Sequence, residues 1–465
     1  MKIGFFLVFF LFYLVSARKN EDFSRVTIKQ GTLIGTVYKN HRNFYGIPYA
    51  KPPIGEQRWK NPIPDEGWEG IRDCTYTRDS CPQVKGNDPM IYPPNGTSED
   101  CLYISIKTPI PSNMLSPVLI YIPGGGFIRA SADSPGYAGE LFARKGILVV
   151  TFNYRAFGGN PNDITLGGPS AGAMSVVTHL VSPISAGLFH KSIIESCHMP
   201  SGYKTMENAK DQYKRLSYQL NCTDIQCLRE SKVDDILKIQ TQMMAVDFRY
   251  PADAFTFWSP VIDKKILPGL PFTLFRTGRY NKVPTLVGFV ELEGNYFAYG
   301  YFKTPIPQGV SSSFVKNMLD SVDDQRFKKI ITHYNATVGE SDDYRIALYS
   351  HINSANIYEY AKPYCTHKNC HGDEVPYVFN SFKEIGYPAT EEEEKISHMM
   401  SNYWTNFIMT GDPNIGYHVP VRWPTYEPSL TADNCLNINS NAKPYNFDKE
   451  FQICDVFDEF GISGY

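Results

Sequence analysis

A serine flanked by glycines is the feature of this chain that most clearly suggests chemistry. Gly168, Pro169, Ser170, Ala171 and Gly172 form a G-x-S-x-G run, which follows a short β-prone stretch and opens a small-residue segment typical of a helix. Glycine is needed on both sides because a Cβ there would strike the neighbouring strand or helix, and because the turn requires unusual dihedral angles. The pattern also occurs by chance in many proteins. Ser170 is therefore a candidate nucleophile whose case depends on the residues that accompany it.

A second glycine-rich segment, Pro123-Gly124-Gly125-Gly126-Phe127, follows an apolar run that predicts a strand. Consecutive glycines let the backbone approach a ligand and turn its N–H groups toward it, as in an oxyanion hole. A flexible loop without function is one alternative. A dinucleotide-binding loop is another, but the full G-x-G-x-x-G spacing is absent.

Strands that alternate with helices must position these two segments. Such alternation predicts an α/β protein with a mostly parallel central sheet flanked by helices. The alternating pattern of residues 25–38 predicts a small N-terminal β hairpin, and the EEEEK run near residue 392 predicts the charged start of a helix. The predicted sheet strands are Leu102–Ile106, Val118–Ile122, Ile147–Asn153, Ile193–Glu195 and Thr285–Phe289.

Length and charge restrict the classes of partner. The chain has 465 residues, which is ample for a large core, and its 45 basic and 48 acidic residues give a net charge of -3. Such a balance gives no general reason to expect nucleic acid or an anionic membrane as partner, so we expect a small molecule. No internal repeat or linker divides the chain, and residues 18–465 are predicted to form one domain. The sequence does not specify an oligomeric state.

The first 17 residues have the pattern of a signal peptide. Lys2 precedes the apolar run Ile3–Val15, which ends in the small-residue sequence Val15-Ser16-Ala17. This run of about 13 residues is shorter than the roughly 20 that a helix needs to span a bilayer. No later segment is long and apolar enough for stable membrane insertion, and the end of the chain is not a retrieval signal. We therefore expect cleavage near Ala17 and secretion.

The cysteines and sequons agree with that location. Ten cysteines in an oxidising compartment are more typical of disulfides than of metal ligands. Three N-x-S/T sequons begin at Asn95, Asn221 and Asn335, and each predicts a glycosylated surface position. The second sequon encloses Cys222, which can hinder its use.

Together these segments resemble type-B carboxylesterases, the family of α/β-hydrolases that also contains cholinesterases and non-catalytic adhesion proteins. The resemblance covers nearly the whole mature chain and implies an α/β-hydrolase fold that cleaves esters with neither a metal nor another cofactor. It rests on the segments FYGIPYAKPPIGEQRW, SEDCLYISIKTP, IPGGGF, ITLGGPSAGA, CLR, LVGFVELEGNYF, CHGDEVPYVF and YWTNFIMTGDPN.

This resemblance implies a role for three side chains. Ser170 is the nucleophile, Glu293 the acid of the triad and His371 its base, in the chain order expected of α/β-hydrolases. Glu293 is alternatively a solvated acid beside a turn glycine. His371 ends the run Cys365–His371, which superficially resembles a metal-binding cluster, but the run is too compact for the usual zinc spacings. The oxyanion donors implied by the resemblance are the N–H groups of Gly125, Gly126 and Ala171.

The resemblance also implies two disulfides, Cys81–Cys101 and Cys222–Cys227, and places Ser196 where the family often has a serine near the triad. Spacing alone suggests two further local disulfides, Cys365–Cys370 and Cys435–Cys454. Whether Cys74 and Cys197 meet is left open.

Two prolines depart from the family pattern. Pro169 replaces an acidic or other polar residue beside the nucleophile, and Pro123 replaces the histidine that often precedes the glycines. Neither removes an atom of the triad. Proline before Ser170 lacks an N–H and favours an extended Gly168, which a strand end accommodates. The electrostatics near His371 are expected to differ from the family's.

The connection before the elbow is unusually short. Only Ala156 to Asp163 separate the strand predicted to end near Arg155 from the elbow strand predicted to start near Ile164. Relatives place a long helix here, and a crossover between parallel strands normally takes a dozen or more residues. Eight extended residues span about 26 to 29 Å, enough for a stretched loop. We expect part of one sheet face to be uncovered unless another segment fills it. A skipped exon or faulty gene model, a misfolding short isoform, and a divergent domain that compensates all explain the gap.

The leading hypothesis is a secreted serine hydrolase that cleaves carboxylic esters through an acyl-enzyme intermediate. The alternatives are a catalytically impaired or silent binding or adhesion protein of the same fold, or a truncated isoform. A complete triad argues against a silent protein. Choline esters are disfavoured as substrates because the loop between Cys81 and Cys101 has no tryptophan for cation–π recognition. Lipase, juvenile-hormone-type esterase and xenobiotic esterase activities all remain open.

Overall fold

A computed structural model gives the fold of the chain. It describes residues 22–86, 90–91, 95–150, 154–197, 202–244, 257–290, 293–318, 323–336, 338, 342–345, 370–427 and 431–446. The predicted signal peptide, Cys365 and Cys454 lie outside these residues.

A large mixed sheet forms the centre of the protein, as the alternation of strands and helices predicts. Five neighbouring strands run parallel, and the three at the other side of the sheet pair antiparallel. Its eight strands, in spatial order, are β11 (Thr285–Gly288), β10 (Lys191–Glu195), β9 (Gly159–Pro169), β7 (Ser116–Tyr121), β8 (Leu148–Val150), β6 (Tyr103–Pro109), β4 (His41–Pro48) and β3 (Thr36–Val37).

Helices cover both faces of this sheet. Helix α2 begins directly after Ser170, and the long helix predicted from the EEEEK run begins at Glu391, where Thr390 and Glu393 form a capping box. The helices in the described ranges are α1 (Glu140–Arg144), α2 (Ala171–Val181), α3 (Met206–Gln219), α4 (Ile225–Glu230), α5 (Val233–Met244), α6 (Pro271–Arg276), α7 (Glu293–Tyr301), α8 (Gln308–Met318), α9 (Asp324–Ala336), α10 (Glu374–Phe379) and α11 (Glu391–Thr410).

The predicted N-terminal hairpin is present and forms part of a small second sheet. Strands β1 (Arg25–Ile28) and β2 (Gly31–Ile34) pair antiparallel, and β5 (Ile71–Asp73) adds a parallel strand. The pattern of residues 25–38 extends beyond this hairpin, because β3 pairs with β4 of the large sheet. Two further strands, β12 (Cys435–Asn437) and β13 (Lys443–Tyr445), form a separate antiparallel pair.

The short connection before the elbow contains no α-helix between Tyr154 and Asp163, only a 3-10 turn over Tyr154–Phe157. Strand β9 begins at Gly159, five residues before the predicted start at Ile164, because Gly159 already pairs with Ser116 of β7. The N–H of Ser116 also donates to the Gly158 carbonyl, at 2.8 Å. Much of the predicted loop is therefore strand.

The expected uncovered sheet face is filled by the turn and by the small sheet. Phe157 is 4% exposed and packs edge-on against Phe44, with ring centroids 5.0 Å apart. The Thr108 hydroxyl donates to the Phe157 carbonyl at 3.1 Å, which fixes the turn over the sheet. Leu33 of the small sheet and Val150 of β8 belong to the same buried cluster. One aromatic ring and a hairpin thus pack on the sheet face that was expected to be uncovered.

Candidate active site

Ser170 lies at a sharp turn between a strand and a helix. Strand β9 ends at Pro169, α2 begins at Ala171, and Ser170 between them has φ 55° and ψ -122°. Its N–H donates to the carbonyl of Glu195 at the end of β10, at 2.9 Å. Positive φ is strained for a residue with a side chain, and such strain concentrates at functional sites. The turn has the geometry that presents a nucleophile.

The flanking glycines allow this turn to pack against the end of β7. A Cβ added to Gly172 or Gly168 would overlap the carbonyl oxygen of Ile122. The contact brings the elbow beside the glycine loop, since a Cβ on Gly124 would lie 3.3 Å from the Ser170 Cβ.

Positive φ angles shape the loop that follows β7. Gly125 has φ 105°, Gly126 62° and Phe127 61°, and the N–H of Gly124 donates to the Tyr137 hydroxyl at 3.1 Å. Ala171 is the first residue of α2, so its N–H has no acceptor within the helix. The glycine loop and the start of α2 therefore both lie beside Ser170, and the helix dipole adds positive potential there.

Glu293 and His371 are hydrogen bonded to each other. Glu293 begins α7 and is 1% exposed; one carboxylate oxygen contacts the Nδ1 of His371, and the other accepts from the Val290 N–H at 3.1 Å. The imidazole also packs against the Phe297 ring, with centroids 4.9 Å apart. Both carboxylate oxygens are occupied, so the carboxylate and the imidazole hold a fixed orientation. Glu293 is thus a buried partner rather than a solvated acid.

Two of the three predicted side chains, Ser170 and Glu293, follow the carboxyl ends of parallel strands, and His371 is bonded to Glu293. Ser170 follows β9, and the N–H of Ser196 at the end of β10 donates to Gly288 of β11, five residues before Glu293. Two strand spacings separate β9 from β11, which is about 10 Å. Ligands of open α/β sheets bind at this edge.

Ser196 has an unusual environment of its own. Its φ is 54°, it is 6% exposed, and its hydroxyl has no hydrogen-bond partner among the described residues. Its position directly after β10 agrees with a place near the triad.

Two buried carboxyl groups near this edge were not anticipated from the sequence. Glu195 is 2% exposed, and burial raises its pKa, while donors on Tyr121 and Trp404 oppose that shift. Both carboxyl oxygens of Glu374 are buried without a hydrogen-bond partner in the described part of the chain. Burial, and then the charges of Glu195 and Glu293, raise the pKa of Glu374 well above the usual value. A glutamate inside the apolar strand sequence SIIE was the available signal for Glu195.

The cysteines adopt the pairing that the resemblance implies. Cys81 bonds to Cys101 with S–S 2.08 Å, and Cys222 bonds to Cys227 with S–S 2.04 Å. Cys370, next to His371, is also disulfide-bonded, which removes its thiolate from any metal cluster. The described residues hold no group of three His, Cys, Asp or Glu side chains arranged for a metal ion.

The remaining cysteines and the sequons are placed as follows. Cys74 and Cys197 are both free thiols, and the predicted Cys435–Cys454 disulfide lies partly outside the described residues. Asn95 and Asn221 are exposed and Asn335 is half-buried in α9. None of the helices in the described ranges is both long and apolar enough to cross a bilayer.

Comparison with known proteins identifies relatives along the whole of this fold. The chain matches the carboxylesterase family over residues 22–156, 155–356 and 310–454. The first two segments meet at Arg155 and Ala156, where the structure has a short turn in place of the expected helix. The match and the eight-stranded sheet confirm the predicted α/β-hydrolase fold.

Individual relatives cover most of the chain. It is 32% identical to the cAMP-regulated D2 protein of Dictyostelium discoideum, over 87% of each chain. It is 30% identical to the Crystal protein of the same organism, over 95% of this chain and 92% of that protein. It is 28% identical to the cholinesterase of Mus musculus, over 85% of this chain and 79% of that one.

Proposed function

Because this chain belongs to the carboxylesterase family, we propose that it is a secreted serine hydrolase that cleaves carboxylic esters through an acyl-enzyme intermediate. The observation that carries the proposal is the contact between the buried carboxylate of Glu293 and the imidazole of His371, at the sheet edge where Ser170 occupies its strained turn. A nucleophile, a base and a group that orients the base are the parts that such chemistry needs.

The first half of the reaction forms the acyl-enzyme. The Ser170 Oγ attacks the ester carbonyl carbon while the Nε2 of His371 takes the hydroxyl proton. Glu293 keeps the other ring nitrogen protonated and stabilises the imidazolium that forms. The negative oxygen of the tetrahedral intermediate accepts hydrogen bonds from the backbone N–H groups of the glycine loop and the start of α2. The intermediate then collapses, and His371 returns the proton to the departing alcohol.

Water completes the cycle. His371 removes a proton from water as it attacks the acyl carbonyl, the same amides stabilise the second tetrahedral oxyanion, and Ser170 leaves with the proton. Each oxyanion donor typically contributes a factor of about 10² to 10³ in turnover. The backbone turn at Gly125 and Gly126 is therefore as important to the proposed rate as many side chains.

The substrate class follows from the site and its surroundings. The loop closed by the Cys81–Cys101 disulfide has no tryptophan to bind a choline ammonium by cation–π attraction. Uncharged carboxylic esters are the proposed substrates. The disulfides and residues 1–17 support the proposed secretion.

The test compares Ser170→Ala with a matched control, Ser175→Ala, in the same helix. The Ser175 hydroxyl bonds only the Ala171 carbonyl among the described residues, one turn into α2. We expect the wild type and Ser175→Ala to hydrolyse p-nitrophenyl acetate and to be labelled by a fluorophosphonate, whereas Ser170→Ala should lose both while its circular dichroism is unchanged.

Two outcomes contradict the proposal. Labelling that survives in Ser170→Ala would place the nucleophile elsewhere. A folded wild type that neither hydrolyses a panel of short, long and aryl esters nor reacts with the fluorophosphonate would favour the silent binding protein instead.

A further inference from the structure

Glu195 is a buried carboxylate that the proposed reaction does not use. It lies in β10 among buried apolar neighbours and is 2% exposed. One carboxylate oxygen accepts from the Tyr121 hydroxyl and the other from the Trp404 indole N–H, each at 2.5 Å. Burying such a group is costly unless it is well bonded, and an apolar side chain would fill a strand interior at less cost. Its presence therefore calls for a role.

The contacts of Glu195 reach the parts of the site that must keep their spacing. Its backbone carbonyl accepts from the Ser170 N–H at 2.9 Å. Tyr121 is the last residue of β7, two positions before the segment Pro123–Phe127, whose Gly124 lies against the elbow. Trp404 belongs to α11, the long helix on the sheet. The carboxylate of Glu195 thus ties the strand that leads into the glycine loop to a supporting helix, and the backbone of the same residue bonds to the nucleophile.

The proline at position 169, which departs from the family pattern, makes the hydrogen bond between Ser170 and Glu195 more important. Pro169 pairs in register with Glu195 but has no N–H to donate, so the bond from Ser170 to the Glu195 carbonyl is what holds the elbow to β10 there. The family pattern places an acidic or polar residue at Pro169; here a carboxylate reaches the same region from the neighbouring strand.

We propose that Glu195 is a positioning residue that fixes the distance between the Ser170 hydroxyl and the amides of the glycine loop. The inference rests on the proposed function, because it concerns the geometry of that site. A displacement of about 1 Å between reacting groups can lower turnover by a factor of about 10². Glu195 touches neither substrate nor reacting atoms in this assignment, and it acts through Tyr121 and the elbow.

The experiment compares three variants. Glu195→Ala removes both acceptors and should lower kcat for p-nitrophenyl acetate by about 10- to 100-fold, with KM changed by less than about threefold. Glu195→Gln keeps a carbonyl for the indole and an amide that the Tyr121 hydroxyl can accept from, so it should recover to within about threefold of wild type. Hydrogen exchange of the peptide that carries Ser170 should be about tenfold faster in Glu195→Ala.

Glu393→Ala is the matched control for the loss of a buried glutamate bonded to tyrosine. Glu393 is 6% exposed, accepts from the Tyr387 hydroxyl at 2.8 Å and lies in the first turn of α11. This variant should lose stability yet keep kcat within about twofold of wild type and leave exchange at Ser170 unchanged.

The outcomes separate this inference from the proposed function. Unchanged kcat and exchange in Glu195→Ala, an equal loss of kcat in Glu393→Ala, or a Glu195→Gln variant as impaired as Glu195→Ala would each overturn the positioning role. A wild type without esterase activity refutes the proposed function alone, and exchange at Ser170 then decides whether Glu195 holds the elbow.

Discussion

Substituting Glu374 by glutamine should stabilise the protein, by an amount that grows with pH. Both carboxyl oxygens are buried without a partner among the described residues, and burial, followed by the charges of Glu195 and Glu293, holds the pKa of Glu374 well above its usual value of 4.5. The native state therefore retains this proton at pH values where the unfolded chain has released it.

The direction and the size of this pH dependence follow from proton linkage. Between pH 4.5, the unfolded value, and the raised native pKa, the folded protein binds one proton more than the unfolded chain. The free energy of unfolding consequently falls by about 1.4 kcal/mol for each pH unit in that window. The contribution is fully present below the unfolded pKa and is lost as pH rises toward the raised native pKa. Glutamine does not titrate in this range, so the free energy of unfolding of Glu374→Gln does not fall in this way.

The assay is urea unfolding of wild type and Glu374→Gln with disulfides intact, at intervals from about pH 5 to about pH 8. The difference in unfolding free energy should widen in favour of the variant by about 1.4 kcal/mol per unit. Glu393→Gln supplies the opposite case. Burial raises the pKa of Glu393, but hydrogen bonds from Thr390, Tyr387 and Tyr377 outweigh burial and lower it. The contribution of Glu393 to the free energy of unfolding is therefore present above the unfolded pKa and is lost at acid pH.

A constant difference between wild type and Glu374→Gln across that range would refute the reasoning. It would mean that Glu374 is ionised in the native protein and has a favourable partner. A variant that is less stable than wild type at the alkaline end would refute it as well.

Two further predictions concern the short connection and the processing of the chain. Phe157→Ala should lower the free energy of unfolding by about 3 to 5 kcal/mol, because it leaves a cavity where a buried ring was. The control Leu115→Ala, at a side chain 58% exposed, should change it by less than about 0.5 kcal/mol, and urea unfolding measures both. A loss below about 1 kcal/mol for Phe157→Ala would show that the sheet face is covered by other groups. Expression in a secretory host should release into the medium a protein whose N-terminal sequence begins near Arg18. An intact Met1 on cell-retained protein would contradict secretion.

Local patterns were sufficient to predict the elements that carry the site. The G-x-S-x-G run predicted the strand, turn and helix around Ser170, because its glycines are required by direct contacts with the Ile122 carbonyl. The glycine run after β7 likewise predicted a loop, and the structure shows positive φ at Gly125 and Gly126 there. Glu293 and His371 are 78 positions apart and carry no local signal that joins them, so only the resemblance identified them.

Long-range packing limited the rest of the prediction. The start of β9 was placed too late because Gly159-Asn160-Pro161-Asn162 has no strand pattern of its own, and the strand is joined to β7 at its start by the pairing of Gly159 with Ser116. The cover over the sheet face was missed because Phe157 and the N-terminal hairpin are far apart in sequence and meet only in the folded core. Glu374 was overlooked for the same reason, since its environment is made by residues of other elements.

Strand β9 pairs with β7 from Gly159, opposite Ser116, so the alignment of these strands does not depend on the length of the connection that precedes β9. After a bulge that follows Gly159, the register of β9 is set by its regular pairing from Ile164 onward, with β7 on one side and β10 on the other, and this pairing leads directly to Ser170. A segment could be added to or removed from this boundary without displacing the elbow. The junction at Arg155 and Ala156 is accordingly a natural point for grafting a foreign peptide onto this scaffold, with the edge that carries Ser170 left undisturbed.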